Sequence, residues 1–178
     1  GAIRCDSEEL EAMDKHRLRS AVGFVPQEVV MFPGSVLDNL RMFDETIPRE
    51  QVIVAAQRAR IHERILSFPQ GYDTVLTEGG ANFSLGERQL LAFARALVRD
   101  PEILILDEAT SSVDPHTERL IQEGLEELLK GRTAIIVAHR LETIRMADRV
   151  LVVHKGRIAE QGSHDELVAA NGIYSRLY

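Results

Sequence analysis

The sequence of 178 residues predicts an α/β fold, in which a parallel sheet core carries an inserted α-helical region. Short, continuous apolar runs alternate with helical patterns, which is typical of a parallel sheet covered on both faces. Residues from about 42 to 99 carry helical patterns without a strand. The chain is long enough for one domain with a full core.

The predicted strands are apolar runs with clear ends. The first run stops at Pro26, because proline cannot donate to a sheet ladder, and the last is followed by Lys155-Gly156-Arg157, which predicts a hairpin with residues 158–160. The runs are residues 21–25, 103–106, 134–138 and 150–153.

The predicted helices are marked by apolar positions at helical spacing and by their end signals. Ser84 and Glu87 form an S-x-x-E capping box at the start of one helix. Asp114-Pro115 combines an N-cap residue with proline at the first helical position, and Gly131 ends that helix. The helices are residues 48–60, 85–99 and 115–130.

The composition excludes some functions. The net charge of −7 argues against nucleic-acid binding, which depends on clustered Lys and Arg. The single cysteine, Cys5, excludes an internal disulfide and fits a reducing compartment. No apolar stretch approaches the roughly 20 residues that span a bilayer, so a link to a membrane requires a partner.

Polar residues follow several predicted strands: Gln27, the pair Asp107-Glu108, and His139. Because ligands bind beyond the carboxyl ends of parallel strands, we expect these side chains to gather at one sheet edge. The alternatives are a solvated loop residue for Gln27 and a structural histidine for His139.

The two acids after the run 103–106 pose an electrostatic problem. Partly desolvated neighbouring carboxylates repel each other unless a positive charge is near. Mg²⁺ would remove this conflict, and the second acid could then activate a water. The alternative is that both acids cap the next turn at a solvated edge.

The start of the helix at Ser84 can also hold an anion. Its free N–H groups and positive dipole end favour a phosphate, and Gly86 would allow close approach to the backbone. The alternative is that the capping box only stabilises the helix.

Five motifs in order now resemble one family, the nucleotide-binding domain of ATP-binding cassette (ABC) transporters, over essentially the whole chain. Two further stretches, 32–36 and 77–80, resemble its exporter branch of the multidrug or lipid type. The motifs are the Q-loop (25–27), the signature motif (83–87), the Walker B strand (103–108), the D-loop (111–114) and the H-loop (138–140).

The resemblance implies an ATPase with ATP and Mg²⁺ as cofactors. Asp107 would hold Mg²⁺ through water, and Glu108 would be the general base. His139 would contact the γ-phosphate, while Gln27 would touch the metal and the attacking water.

The resemblance also implies partners. Ser84 and Gly86 would bind the ATP of an opposing subunit, with Glu87 beside them and Asp114 at the dimer interface. The second nucleotide-binding domain would sit head to tail, as a homodimer or heterodimer. A transmembrane domain would hold this otherwise soluble chain at the cytoplasmic face of the cell membrane, and no nucleic acid is expected.

The sequence departs from the family at two places. Leu85 and Glu87 stand where the pattern L-S-G-G-Q has glycine and glutamine, so an acid lies near the phosphate. The loop G-x-x-x-x-G-K-[ST] is absent, since the chain contains no Gly-Lys pair. The expected fold is therefore like that of P-loop NTPases, without the first β subdomain and the Walker A helix.

We expect the chain alone not to hydrolyse ATP, because the Walker A loop supplies most of the phosphate grip. The implied division is residues 1–41 as the start of the α/β core, 42–99 as the α-helical subdomain, and 100–178 as the rest of the core. Two alternatives stay open: a non-hydrolysing module that only docks on a partner, and a soluble ABC ATPase of the DNA-repair or translation type.

Overall fold

The computed structural model describes residues 1–6, 8–107, 113–138 and 140–176. The chain divides into two compact units, Gly1–Ile136 and Val137–Tyr178. Its helices and strands are β1 (Arg4–Cys5), β2 (Glu8–Glu9), α1 (Lys15–Ala21), β3 (Val22–Val25), α2 (Val36–Arg41), α3 (Arg49–Arg58), α4 (His62–Leu66), α5 (Leu85–Val98), β4 (Ile103–Asp107), α6 (Pro115–Leu129), β5 (Thr133–Val137), α7 (Leu141–Arg145), β6 (Val150–His154), β7 (Arg157–Gly162) and α8 (His164–Ala169).

The sheet of the α/β core has the strand order β3-β4-β5. β3 and β4 are parallel, and Val25 lies opposite Leu106. The prediction of a parallel sheet with helices is thus confirmed. The first strand is shorter than predicted, because Ala21 ends α1 instead of opening β3.

The prediction that this sheet is covered on both faces holds for one face. Val25, Leu104 and Leu106 are buried in the apolar core. On the opposite face, Phe24 is 60% exposed and its register neighbour Ile105 is 36% exposed. An uninterrupted apolar run predicts cover on both sides, but among the described residues the core lies against one side.

The helical region is built around α5. Its capping box is present as predicted, and most of its apolar side chains, including Leu90 and Phe93, are buried, whereas Leu85 in its first turn is exposed. Helices α2, α3 and α6 all contact it. The helix ends at Val98, one residue before the predicted end.

The signals at both ends of α6 are also confirmed. Asp114 is the N-cap and Pro115 is the first helical residue. The helix ends at Leu129, and Gly131 follows with φ of +72°, a left-handed conformation that glycine adopts without steric cost.

The second unit contains the predicted hairpin. β6 and β7 pair antiparallel, with Val150 opposite Gly162. A small core of Val152, Leu167 and Tyr174 lies beside it. In the described ranges, no helix has the length and apolar character needed to span a bilayer.

Candidate functional site

Ser84 begins α5 with a complete reciprocal cap. Its Oγ accepts a hydrogen bond from the N–H of Glu87 at 3.2 Å. The N–H of Ser84 in turn donates to Oε2 of Glu87 at 2.8 Å. Ser84 is exposed, and the N–H groups of the first helical turn have no intrahelical acceptor. This helix end can therefore offer a hydroxyl and backbone donors to an anion.

Gly86 is buried, and the structure gives a packing reason for the glycine. A Cβ built on it would lie 2.4 Å from Cγ2 of Thr117 and 3.0 Å from Cγ1 of Val113. The space beside its Cα is therefore filled by α6 and the residues before it. The approach of a phosphate to the backbone of Gly86 stays a prediction.

Glu87 uses both of its carboxylate oxygens. Besides the cap to Ser84, its Oε1 accepts a hydrogen bond from Nε of Arg64 at 2.8 Å. Arg64 lies in α4 and is separated from Glu87 by 23 positions in the sequence. Spacing alone could not reveal this pair. The charge of the Glu87 carboxylate is therefore neutralised by a cation from another helix.

Asp107 is the last residue of β4 and is half-buried. The parallel register sets Val25 opposite Leu106, so Asp107 at the end of β4 and Gln27, two residues after β3, lie at the same edge of the sheet. Gln27 is exposed there. Glu108 and His139, the two predicted catalytic residues, lie outside the described residues, as do Ser111 and Ser112 of the predicted D-loop.

The carboxylate of Asp114 caps the start of α6. Its Oδ1 accepts hydrogen bonds from the N–H groups of His116 at 3.1 Å and Thr117 at 3.0 Å. A hydrogen bond from the Thr117 side chain, followed by these backbone donors, lowers the pKa of Asp114 below its usual value. The carboxylate is therefore held ionised as a helix cap.

Arg95 is a half-buried cation that sequence reasoning missed. Its guanidinium donates to the carbonyl oxygens of Val30 and Asn39, both at 3.0 Å. Asn39 in turn bonds the N–H and the carbonyl oxygen of Phe32, both at 2.9 Å. Burial lowers the pKa of Arg95. The sequence did contain a signal for this residue, because Arg95 lies between Leu91 and Val98 on the apolar stripe of α5, where a charged side chain needs hydrogen-bond partners.

These contacts connect the segment that follows Gln27 to α5. Within the described part of the chain, no group of three or more His, Cys, Asp or Glu residues could hold a metal ion. The described oxygen donors at the sheet edge are the carboxylate of Asp107 and the amide of Gln27. Both are hard ligands of the kind that Mg²⁺ accepts together with water and phosphate.

An α/β sheet with polar residues at one edge, beside a helix whose start is capped by Ser84, is the arrangement that the sequence predicted, and comparisons with known proteins show which family it belongs to. The profile of the family described as "ABC transporter" matches residues 1–111. The chain belongs to this family.

The relatives make the likeness specific. The chain is 47% identical to "ABC transporter aclQ" of Aspergillus oryzae over 178 residues, covering all of this chain and 22% of that protein. It is 47% identical to "Mycobactin import ATP-binding/permease protein IrtA" of Mycobacterium tuberculosis over 180 residues, again covering all of this chain and 21% of that protein.

A solved structure, "Structure of a bacterial Atm1-family ABC exporter with ATP bound", matches with a TM-score of 0.88 at 40% identity. The match covers 99% of this chain and 31% of that chain. The chain therefore spans between about a fifth and a third of the length of these three proteins.

Proposed function

We propose that this chain works as an ATPase part of an ABC exporter, in which ATP binding and hydrolysis drive transport across a membrane. The main support is the likeness over 99% of the chain to an exporter solved with ATP bound. One relative is named for import. The proposal that this chain serves in export therefore rests on the likeness to the solved Atm1-family exporter.

In this proposal, Asp107 would hold Mg²⁺ through water at the edge of the sheet, and Gln27 would touch the metal and the attacking water. When bound, Mg²⁺ neutralises the charge of the phosphate oxygens. Glu108 accepts a proton from the attacking water, and His139 donates a hydrogen bond to the γ-phosphate. The roles of Asp107 and Gln27 are supported by their position at the same edge of the sheet.

Ser84, Gly86 and Glu87 are proposed to face the ATP of a second nucleotide-binding domain, with Asp114 at the interface between the domains. The exposed hydroxyl of Ser84 supports its contact with phosphate. Gly86 would take part through its backbone N–H, because its Cα side packs on α6. The division into residues 1–41, 42–99 and 100–178 remains a prediction.

A transmembrane domain is proposed as the second partner, and it would hold the chain at the cytoplasmic face of the membrane. An apolar patch of Val30, Phe32, Met42 and Phe43 supports this contact, because these large side chains are all exposed. Met42 and Phe43 both have left-handed backbone conformations, with φ of 55° and 60°. Such strain at an exposed apolar surface is typical of functional segments.

ATP hydrolysis by the full-length protein tests this function. Glu108→Gln should lower kcat by about 10²- to 10⁴-fold, the usual contribution of a general base, while binding of a fluorescent ATP analogue persists. A full-length protein that binds and hydrolyses no ATP would instead favour the docking module. Hydrolysis that survives Glu108→Gln unchanged would remove the assigned base.

A further inference from the structure

The acid at position 87 is paired in a way that leaves neither oxygen free. Oε2 accepts from the N–H of Ser84, and Oε1 accepts from Nε of Arg64, both at 2.8 Å. The Glu87 side chain is 21% exposed. An unpaired carboxylate here would repel any anion that approached the start of α5, whereas the ion pair with Arg64 has no net charge.

Arg64 is itself fixed from several sides. Its Nη1 donates to Oγ of Ser67 at 2.9 Å, and its Nη2 donates to the carbonyl oxygen of Asn82 at 3.2 Å. The guanidinium also lies 4.3 Å from the centre of the Phe68 ring and 5.6 Å from that of Phe83. With Nε on Glu87, every guanidinium nitrogen has an acceptor. The cation is therefore held in place rather than swinging in solvent.

We propose that Arg64 is a positioning residue for nucleotide binding at Ser84. It cancels the charge of Glu87 and holds the capping carboxylate where it orients the backbone N–H of Ser84. This role rests on the proposed function of Ser84, and Arg64 itself does not touch the nucleotide.

The charge that each variant leaves at position 87 predicts the order of their KM values for ATP. Arg64→Gln leaves Glu87 uncompensated, so the KM for ATP should rise roughly tenfold, as expected for one unit charge several ångströms from a bound anion near the surface. Glu87→Gln removes that charge but keeps a side-chain oxygen for the cap. The double variant should therefore return the KM to within about twofold of the wild type.

The ATPase of the full-length protein gives the readout, as separate kcat and KM values at low and high salt. The KM defect of Arg64→Gln should shrink as ionic strength rises, because screening weakens the repulsion. Arg64→Lys keeps the charge and should have a KM near that of the wild type. Arg49→Gln is the matched control, since Arg49 makes a bidentate pair with Asp73 elsewhere in the helical region.

The outcomes separate this inference from the proposed function. If Ser84→Ala leaves both kcat and KM unchanged, the site at Ser84 is refuted and the role of Arg64 falls with it. If Ser84→Ala raises KM but Arg64→Gln does not, the inference alone is overturned. It is also overturned if the Arg64→Gln defect is insensitive to salt and persists in the double variant, which would mark a purely structural role.

Discussion

Replacing Gly86 by alanine is the single change whose effect the structure predicts most directly. The added Cβ would lie 2.4 Å from Cγ2 of Thr117, 3.0 Å from Cγ1 of Val113 and 3.3 Å from Cδ1 of Ile121. Carbon atoms that are not bonded normally approach to about 3.5–4.0 Å. Either α6 moves away from α5, or the Thr117 side chain leaves its position.

The magnitude follows from two opposing terms. Overpacking in a well-packed core typically costs about 1–3 kcal/mol, and so short a contact puts Gly86→Ala near ~3 kcal/mol. Alanine regains about 1 kcal/mol relative to glycine in a helix. The net loss of about 2 kcal/mol should lower Tm by roughly 4–8 °C in a chain of this size.

Thermal unfolding followed by circular dichroism measures this shift. Thr117→Ser removes the Cγ2 methyl but keeps the hydroxyl that bonds Asp114, so the double variant should lose much less Tm relative to Thr117→Ser. Gly124→Ala is the matched control: its Cβ would come no closer than 3.2 Å to Ala59 O, so it should lose less than Gly86→Ala. An unchanged Tm in Gly86→Ala, or no recovery with Thr117→Ser, would refute the packing argument.

Two further predictions concern the apolar patch and a buried phenol. Phe43→Asn should abolish transport but preserve ATP hydrolysis and Tm, because asparagine tolerates the left-handed φ of 60° at this position. The control Val54→Ala, on another exposed surface, should preserve transport, hydrolysis and Tm. A parallel loss of hydrolysis in Phe43→Asn would contradict the proposed contact with a transmembrane domain. Burial raises the pKa of Tyr72 to about 12, whereas exposed tyrosines titrate near pH 10. The contribution of Tyr72 to stability is therefore complete below about pH 10 and is lost as pH rises through about 12. Absorbance titration should show a late-ionising component that is missing in Tyr72→Phe. An unchanged titration curve above about pH 10 in Tyr72→Phe would contradict this burial.

The features predicted correctly from sequence are those that depend on neighbouring residues. The cap between Ser84 and Glu87 spans three positions, and the start of α6 at Asp114 is set by the next few residues. Both are fixed by local hydrogen bonds, which spacing reveals. The strand ending in Asp107 was visible for a similar reason, because its apolar run stops abruptly.

The partners that lie far along the chain could not be predicted in this way. Arg64 reaches Glu87 across 23 positions, and Arg95 reaches Val30 across 65. The packing of Gly86 on α6 could not be predicted either, since residue spacing does not show which neighbour lies against a glycine. In each case tertiary packing, rather than local preference, decides the contact.

Helix α5 is held by packing, hydrogen bonds and an ion pair near both of its ends, and these contacts limit how Ser84 at its start can move. At its start, Gly86 packs on α6 and Glu87 is tied to Arg64. Toward its end, Arg95 holds the carbonyl oxygen of Val30. The helix has 14 residues, so it spans about 20 Å as a stiff rod. Because a packed helix shifts as a unit rather than bending at will, a displacement of the segment after Gln27 and a displacement of Ser84 are not independent. Contact of a partner with the apolar patch would therefore act through Arg95 on the end of α5 that carries Ser84.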